Sequence, residues 1–380
     1  MRGSFFTMTQ VLEDVARSVF SEWVRDVPDP RLASMVTYPL AEILFVLFIG
    51  QLCGMNDVDE CVVFAKTQSD WLRGFFRFEH GIAPAQTIRR VLSVLDSKIF
   101  EKLFTAWASN WRGPGVIAVD GKCLKGASKK NSYDALYTVS AFASRSGVVL
   151  GQHKVHDKSN EITAIPVLLE QLSIKGNIVT IDAMGTQSAI AEAIRAKDAH
   201  YILALKGNQS GLRDDVGLFF DDEVLSAKCL THKTVNLGHG RIEERFLRVI
   251  DVRDWLCALH PQWKDLRSII AIRSVRTQKK TGATTTETRY YITSLPPEPK
   301  TLLEAIRAHW GIENTLHWSL DVTFGEDKSR LRKHNAATNM AVIRKAAFNA
   351  LKRDPSDISL KLKRVMAAHD HAFRSSLISR

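Results

Sequence analysis

A chain of 380 residues with 45% apolar content carries enough hydrophobic material for two or three packed domains, which excludes disorder as its organising principle. Its five cysteines (Cys53, Cys61, Cys123, Cys229, Cys257) are odd in number and include no C-x-x-C pair, so neither a disulfide framework nor a thiolate zinc site is indicated and a reducing cytoplasm is expected. A formal net charge of +11 favours a polyanionic partner, although charge alone does not name one.

In chain order, residues 11–111 read as helical, with apolar residues at three- and four-residue spacing and breakers at "VPDPR" and "GIAPAQT". No basic-then-apolar leader opens this region. Its most hydrophobic run, "PLAEILFVLFIGQLC" (39–53), contains Glu42 and Gln51 and is shorter than a bilayer span, so it is expected to be a buried core helix. Arg89 and Arg90 fall on the expected outer face of a later amphipathic stretch.

After "RGPG" the pattern changes to short β-type runs at 116–120, 136–144 and 147–153, the last two joined as a hairpin by Arg145-Ser146. A helix is expected over 161–172, a strand over 178–182, a helix over 188–197 and a strand over 201–205. That order describes an α/β mixed sheet with flanking helices. A β-rich insertion follows at about 207–297. A strong helix is expected over 301–321, then a basic helical segment to the end. The expected division is a helical N-terminal domain (1–110), an α/β domain (111–330) and a basic C-terminal segment (331–380).

Two stretches carry the chemistry. "VIAVDGKCLKGA" (116–127) and "NIVTIDAMGTQ" (177–187) each send an aspartate, Asp120 or Asp182, out of an apolar run at the strand end where open α/β sheets form a cleft. Either acid alone reads equally well as a cap on the next turn. Together, beside glycines that permit close approach to the backbone, they favour a hard-cation site. A two-metal site needs a third acid, for which Glu304, Glu313, Asp321, Glu326 and Asp327 are candidates. Glu313 is preferred because Trp310, Ile312 and Leu316 surround it, so it is expected to face protein.

His309, Glu313 and His317 share a helical face, which raises a zinc-hydrolase reading, but the H-E-x-x-H order is absent. They also suit a surface network. Trp310 and Trp318 are expected to pack in the core rather than stack on a base. Cys123 is expected to pack.

These blocks resemble the DDE transposases of bacterial insertion sequences, in particular the ISAs-type group that includes the H-repeat-associated proteins. The similarity runs through "VIAVDGKCLKGA", "KSNEITAIPVLLEQL", "IVTIDAMGTQ", "YILALKGNQ", "GHGRIEER" and "RAHWGIENTLHWSLDVTFGEDKSR", and the N-terminal helices resemble the transposase-associated domain, including its "DPR". Two departures stand out: the wider group has Arg where His309 stands, and the family tends to have Asp where Gln86 stands.

The resemblance implies a ribonuclease H-like catalytic core with Asp120, Asp182 and Glu313 as catalytic and metal-binding triad. It implies two Mg²⁺ ions, with Mn²⁺ as substitute and Asp120 bridging them. It implies double-stranded DNA as partner, both the element's terminal inverted repeats and target DNA, with no membrane, a homodimer on DNA and a bacterial cytoplasmic location. Candidate DNA contacts are Lys122, Lys125, Lys129, Lys130, Lys206, Asn208, Arg241, His309, Arg330, Arg332, Lys333, Arg344 and Lys345. The alternatives are a metal-dependent nuclease that does not join strands, a catalytically silent DNA-binding protein, and a phosphatase or zinc hydrolase unrelated to DNA.

Overall fold

The computed structural model describes residues 23–24, 26–111, 113–127, 136–155, 161–238 and 240–379. Lys129 and Lys130 lie outside the described residues. Nine strands form one sheet: β1 Val116–Cys123, β2 Tyr137–Ala143, β3 Val148–Val155, β4 Ile178–Ile181, β5 His200–Leu205, β6 Leu230–Gly238, β7 Arg241–Asp251, β8 Ser268–Gln278 and β9 Thr284–Thr293. Their order is β3-β2-β1-β4-β5-β9-β8-β7-β6. β1, β4 and β5 run parallel, and β2 is antiparallel to both β1 and β3. This is the expected α/β mixed sheet with flanking helices. The runs "VIAV" and "IVTI" suit its centre because a strand covered on both faces needs apolar, β-branched residues on both.

The insertion continues this sheet. β9 pairs antiparallel with β5, joining Ile202–Leu205 to Thr293–Tyr290, while β7, β8 and β9 pair with one another over their length. Residues 284–289 of β9 therefore run past the C-terminal end of β5, an overhang of about 20 Å. Arg241, at the start of β7 and paired with Gln278, sits at its tip.

Helices cover both faces. α1 Leu40–Leu52, α2 Val58–Thr67, α3 Ala85–Val94 and α4 Ser97–Ala108 lie on one side, and α5 Glu161–Gln171, α6 Ser188–Arg195 and α7 Ser210–Asp221 on the other. α1 is buried almost all round, which is why its sequence lacks a polar stripe. No helix among the described residues is long and apolar enough to cross a membrane. α8 Pro299–His309 packs beside β1 and β4.

The expected helix over 301–321 is not uniform. Beyond His309 the chain widens into π-helical turns at Ile312–His317 and Ser319–Thr323. The buried residues Ile312, Leu316, Leu320 and Phe324 recur every four positions, and this stripe stays aligned only if the turns exceed the 3.6 residues of an α-helix.

α9 Ala336–Arg353 is the least expected element in its surroundings. Although its sequence is basic, it runs through the core between α1, α3 and α4 and the sheet, with Arg344 and Lys345 buried. The expectation that these two contact DNA at the surface is corrected: Arg344 Nη2 donates to Asn56 O (3.2 Å) and Lys345 Nζ to Gln152 Oε1 (2.6 Å). α10 Leu360–His369 and α11 His371–Ile378 follow.

α9 also closes the open edge of the sheet. Asn349 Oδ1 accepts from Val149 N (2.7 Å) and its Nδ2 donates to Val149 O (2.8 Å), at the irregular register in edge strand β3. Asn349→Ala leaves a buried amide and carbonyl unpaired, so it is expected to cost about 2–3 kcal/mol. The measurement is urea unfolding: the midpoint drops at unchanged m-value, and an unmoved midpoint refutes the assignment.

Candidate active site

The register of β1 and β4 builds the site. The parallel pairing ends at Val119 and Ile181, so Asp120 and Asp182 are each the next residue on neighbouring strands about 4.8 Å apart. Side chains alternate along a strand, so both aspartates share a face with Ala118 and Thr180 and point toward α8 and the π-helical segment. β1 itself continues through Cys123, held on its other side by β2, so Asp120 lies within the strand and not at its end as expected.

Burial is the main reason the Asp120 carboxyl is pushed up to about 7, and the charge of Asp182 adds to it. A hydrogen bond from the Gly121 amide opposes the rise, while Glu161 and Glu313 contribute further repulsion. Three other carboxylates thus act on Asp120 here. Asp182 is exposed, and its Oδ1 accepts from the amides of Met184 (3.1 Å) and Gly185 (3.3 Å), which orient it. Among the described residues, no three acidic, histidine or cysteine groups are arranged to hold one metal ion together.

Glu313 is exposed, not turned into protein as expected. Its neighbours Ile312 and Leu316 take the buried side of the wide turns and leave the glutamate on the open side. His309 and His317 lie deeper. His309 Nδ1 meets Thr180 Oγ1 at 3.0 Å, and burial lowers its pKa despite Asp182, so the ring is a neutral partner of β4. His317 Nδ1 stands 3.6 Å from Asp120 Oδ2. Burial, then Lys122 and Lys345, lower its pKa to about 3, so this contact joins a neutral ring to the carboxyl and is not an ion pair.

Lys122, two residues past Asp120 on the same face, is the largest departure from expectation. Its side chain is 8% exposed, with Nζ 2.7 Å from Asp321, 3.1 Å from Glu326 and 3.4 Å from Asp327. Burial alone depresses the ammonium pKa, but the three carboxylates outweigh it and raise the value above that of an ordinary lysine. An ammonium committed in this way is a strut between β1 and the third-acid segment, not a phosphate contact. Lys125, by contrast, is exposed and meets Asp327 at 3.0 Å.

Glu161 was not anticipated. It is 7% exposed at the start of α5, on the opposite face of the sheet from Asp120, and its carboxylate fills the space where a Cβ on Gly121 would stand. The glycine after Asp120 therefore admits a protein carboxylate rather than a ligand. The available signal was an acid leading a helix in "SNEITAIP", which reads first as an ordinary N-terminal charge.

Of the remaining candidates, Lys206, Asn208, Arg241, Arg330, Arg332 and Lys333 are exposed. Asn208 Nδ2 donates to Ala183 O (2.6 Å), tying the loop after β5 to the residue after Asp182. Lys206, Arg289, His309 and Trp310 line a hollow beside Asp182. Trp310 and Trp318 are 39% and 57% exposed, so core packing is not their role; Arg289 lies over the Trp310 ring at 5.0 Å.

With this geometry in place, the family profile described as "Transposase DDE domain" matches residues 111–350. The chain belongs to the DDE transposase family. A second profile, "DDE_Tnp_1-associated", matches residues 21–108. Among related proteins, YncI of Escherichia coli O157:H7 is 40% identical over 349 residues, covering 90% of this chain and 89% of that protein. The H repeat-associated protein YhhI of Escherichia coli strain K12 is 35% identical over 367 residues, covering 94% and 97%. A piggyBac transposase synaptic complex with hairpin DNA is a solved structural neighbour, with a TM-score of 0.46 and 11% identity over 98% of this chain and 81% of that one.

The charges held together in this transposase-family site set its stability against pH and substitution. The Asp120 carboxyl has a higher pKa folded, about 7, than its ordinary 3.8, so its ionisation penalises the metal-free fold above about pH 7 and not below about pH 4. Asp120→Asn is expected to raise the thermal midpoint by a few degrees at pH 8 and hardly at pH 4, as followed by circular dichroism; equal shifts at both pH values contradict the charge crowding. Lys122→Met strands Asp321 and Glu326 and leaves Asp327 with Lys125 alone, and is expected to cost about 3–5 kcal/mol in urea unfolding. Lys125→Met, at an exposed pair, is expected to cost under about 1 kcal/mol. Similar losses for both lysines dismiss the strut.

Proposed function

We propose that the protein is an insertion-sequence transposase that cuts DNA at the element's ends and joins the freed 3′-OH to target DNA, with Asp120, Asp182 and Glu313 as its DDE acids. The observation that carries this reading is that Asp120 and Asp182 are the matched residues just beyond the last paired positions of parallel β1 and β4, beneath the segment bearing Glu313, in a chain of the DDE family. The donor set fits Mg²⁺, or Mn²⁺ as substitute, because carboxylate oxygens are hard ligands and the crowding at Asp120 is what a cation relieves. Two such ions, when bound, supply the positive charge that activates the attacking oxygen and stabilises the leaving one.

The protein's own contribution is placement. Asp120 and Asp182 present acceptor oxygens from a rigid sheet, and the Met184 and Gly185 amides aim Asp182. His317, neutral beside Asp120, leaves that carboxylate's charge available. Glu161 lies behind Asp120 on the other face, in the gap at Gly121, and adds to the negative charge that a cation relieves. Lys122 holds the third-acid segment to β1. In-line transfer between phosphodiesters needs such positioning and charge neutralisation more than a protein nucleophile.

Lys125, Lys206, Arg241, Arg330, Arg332 and Lys333 are the exposed cations assigned to the phosphates of double-stranded DNA, at the terminal inverted repeats and the target. Synapsis of two ends by a homodimer belongs to the same proposal. Residues 1–110, 111–330 and 331–380 serve as accessory, catalytic and C-terminal units, with the insertion at about 207–297 extending over the substrate side.

Separate Asp120→Ala, Asp182→Ala and Glu313→Ala variants are expected to lose about a hundredfold or more in Mg²⁺-dependent cleavage of element-end DNA while still binding it. Glu161→Gln is expected to lose about tenfold. Strand transfer from pre-cut ends with a free 3′-OH distinguishes a transposase from a nuclease that only cuts. Full activity in Glu313→Ala moves the third role to another acid, and cleavage surviving all three changes defeats the triad.

A further inference from the structure

A second concavity, with a volume of about 740 Å³, lies where the N-terminal helices meet the chain just beyond the third-acid segment. One wall is the start of α2, at Asn56–Glu60, together with Gln86, Arg89 and Arg90 of α3. The other is the stretch 328–333, and the floor is formed by Ala336 and Arg344 of α9. The two walls are far apart in sequence, and neither forms a crevice alone.

The charges in this crevice are unequally satisfied. Every acid on the rim has a partner. Asp57 caps α2 by accepting from Glu60 N (2.9 Å), Glu60 accepts in return from the amides of Asn56 (2.6 Å) and Asp57 (3.3 Å), and Asp59 is paired with Arg89. Arg90, Lys328, Arg330 and Lys333 are exposed, and among the described residues none has a carboxylate within ion-pair distance. Below them, Arg344 is 2% exposed and its Nε has no acceptor among the described residues. With Asp59 paired to Arg89, the four free cations on the two walls outnumber the remaining carboxylates of Asp57 and Glu60, and such a crevice takes a polyanion.

The form of the crevice selects which polyanion. The Asn56, Asp57 and Glu60 amides at the start of α2 are taken up by that helix's own capping box, so the full set of convergent N–H groups that fixes a single phosphate is not on offer. The cations are instead spread along two walls of an open cleft, as a phosphate backbone requires. The 328–333 wall is also anchored to the catalytic strand. The Ser329 carbonyl packs where a Cβ on Gly126 would stand, Arg332 Nε donates to Gly126 O (3.2 Å), and Asp327 is held by Lys122 and Lys125. Lys122 in turn lies two strand residues from Asp120, about 7 Å along β1.

We propose that this crevice is a clamp for the backbone of duplex DNA, with Arg90 of the N-terminal helices on one jaw and Arg330 and Lys333 on the other. The N-terminal helices then hold DNA jointly with the catalytic part rather than as an independent reading head. The clamp rests on the DNA-acting function proposed above and adds the second jaw.

The test is fluorescence anisotropy of the full chain with a labelled 40-bp duplex of arbitrary sequence, without divalent metal, over a range of KCl concentrations. Removing one cation from a phosphate makes the slope of log K against log [salt] shallower by about 0.9, so Arg90→Ala/Lys333→Ala is expected to flatten it by about 1.8. Arg145→Ala/Lys175→Ala, in the turns at the opposite, N-terminal end of β1 and β4, is expected to keep the wild-type slope. Arg90→Lys/Lys333→Arg retains both charges and is expected to keep the slope too, which separates charge loss from misfolding. An Arg90→Ala/Lys333→Ala protein with the wild-type slope overturns the clamp. So does an equal flattening in the Arg145/Lys175 pair. If the wild-type chain shows no salt-dependent affinity for the duplex, the DNA function itself fails, a result distinct from a failed clamp.

Discussion

The site depends on one constraint: two parallel strands whose pairing stops at the same level. Because β1 and β4 are in register through Val119 and Ile181, and because strand side chains alternate, the next residue on each must be a neighbour of the other and share its face. Placing an acid at both positions brings like charges together at a partly desolvated sheet edge. That arrangement is unfavourable in isolation: burial first, and then the charge of Asp182, push the Asp120 pKa up. Stability is given up locally where negative charge is concentrated.

The remaining buried charges hold this edge in place. Lys122 gathers Asp321, Glu326 and Asp327, and Glu326 also feels Lys345 and Arg344 from α9. Lys345 reaches Gln152 of β3, which is also bonded to Glu101 of α4 (2.9 Å). A continuous polar chain therefore runs from the strand of Asp120 through the third-acid segment and α9 to the N-terminal helices. Ion pairs in such surroundings add little net stability over apolar packing, but breaking one is costly, so the network favours a single arrangement of these parts.

The same packing explains why the N-terminal helices are not a loosely attached body. Their apolar faces share one core with α9, with Ile312, Leu316, Leu320 and Phe324, and with Ala118, Phe142 and Val149 of the sheet. A crevice between them and the 328–333 stretch is thus a fixed feature of the fold. On the far side, the insertion lengthens the sheet and overhangs the edge that carries the acids. The acids lie between these two projections.

What the sequence by itself determined was the order of the elements from β1 to β5 and the identity of the paired aspartates, but not the helix Ser210–Asp221 that opens the insertion expected to be β-rich. Apolar period, turn residues and an acid directly after a β-branched run are local properties, set by neighbours along the chain. Tertiary structure decided everything that depends on which atoms arrive from elsewhere. Lys122 looked like a free cation until three carboxylates from about 200 residues away enclosed it. Arg344 and Lys345 looked like surface charges on a basic helix, but α9 lies in the core. Glu161 looked like a helix-start charge, and only the missing side chain of Gly121 brings it under Asp120. Trp310, Trp318 and Glu313 changed places with expectation because widened turns rotate the third-acid segment, and the width of a turn is set by the packing against it. A side chain's environment is a property of the fold, so composition and spacing name the candidates and only their surroundings assign the roles.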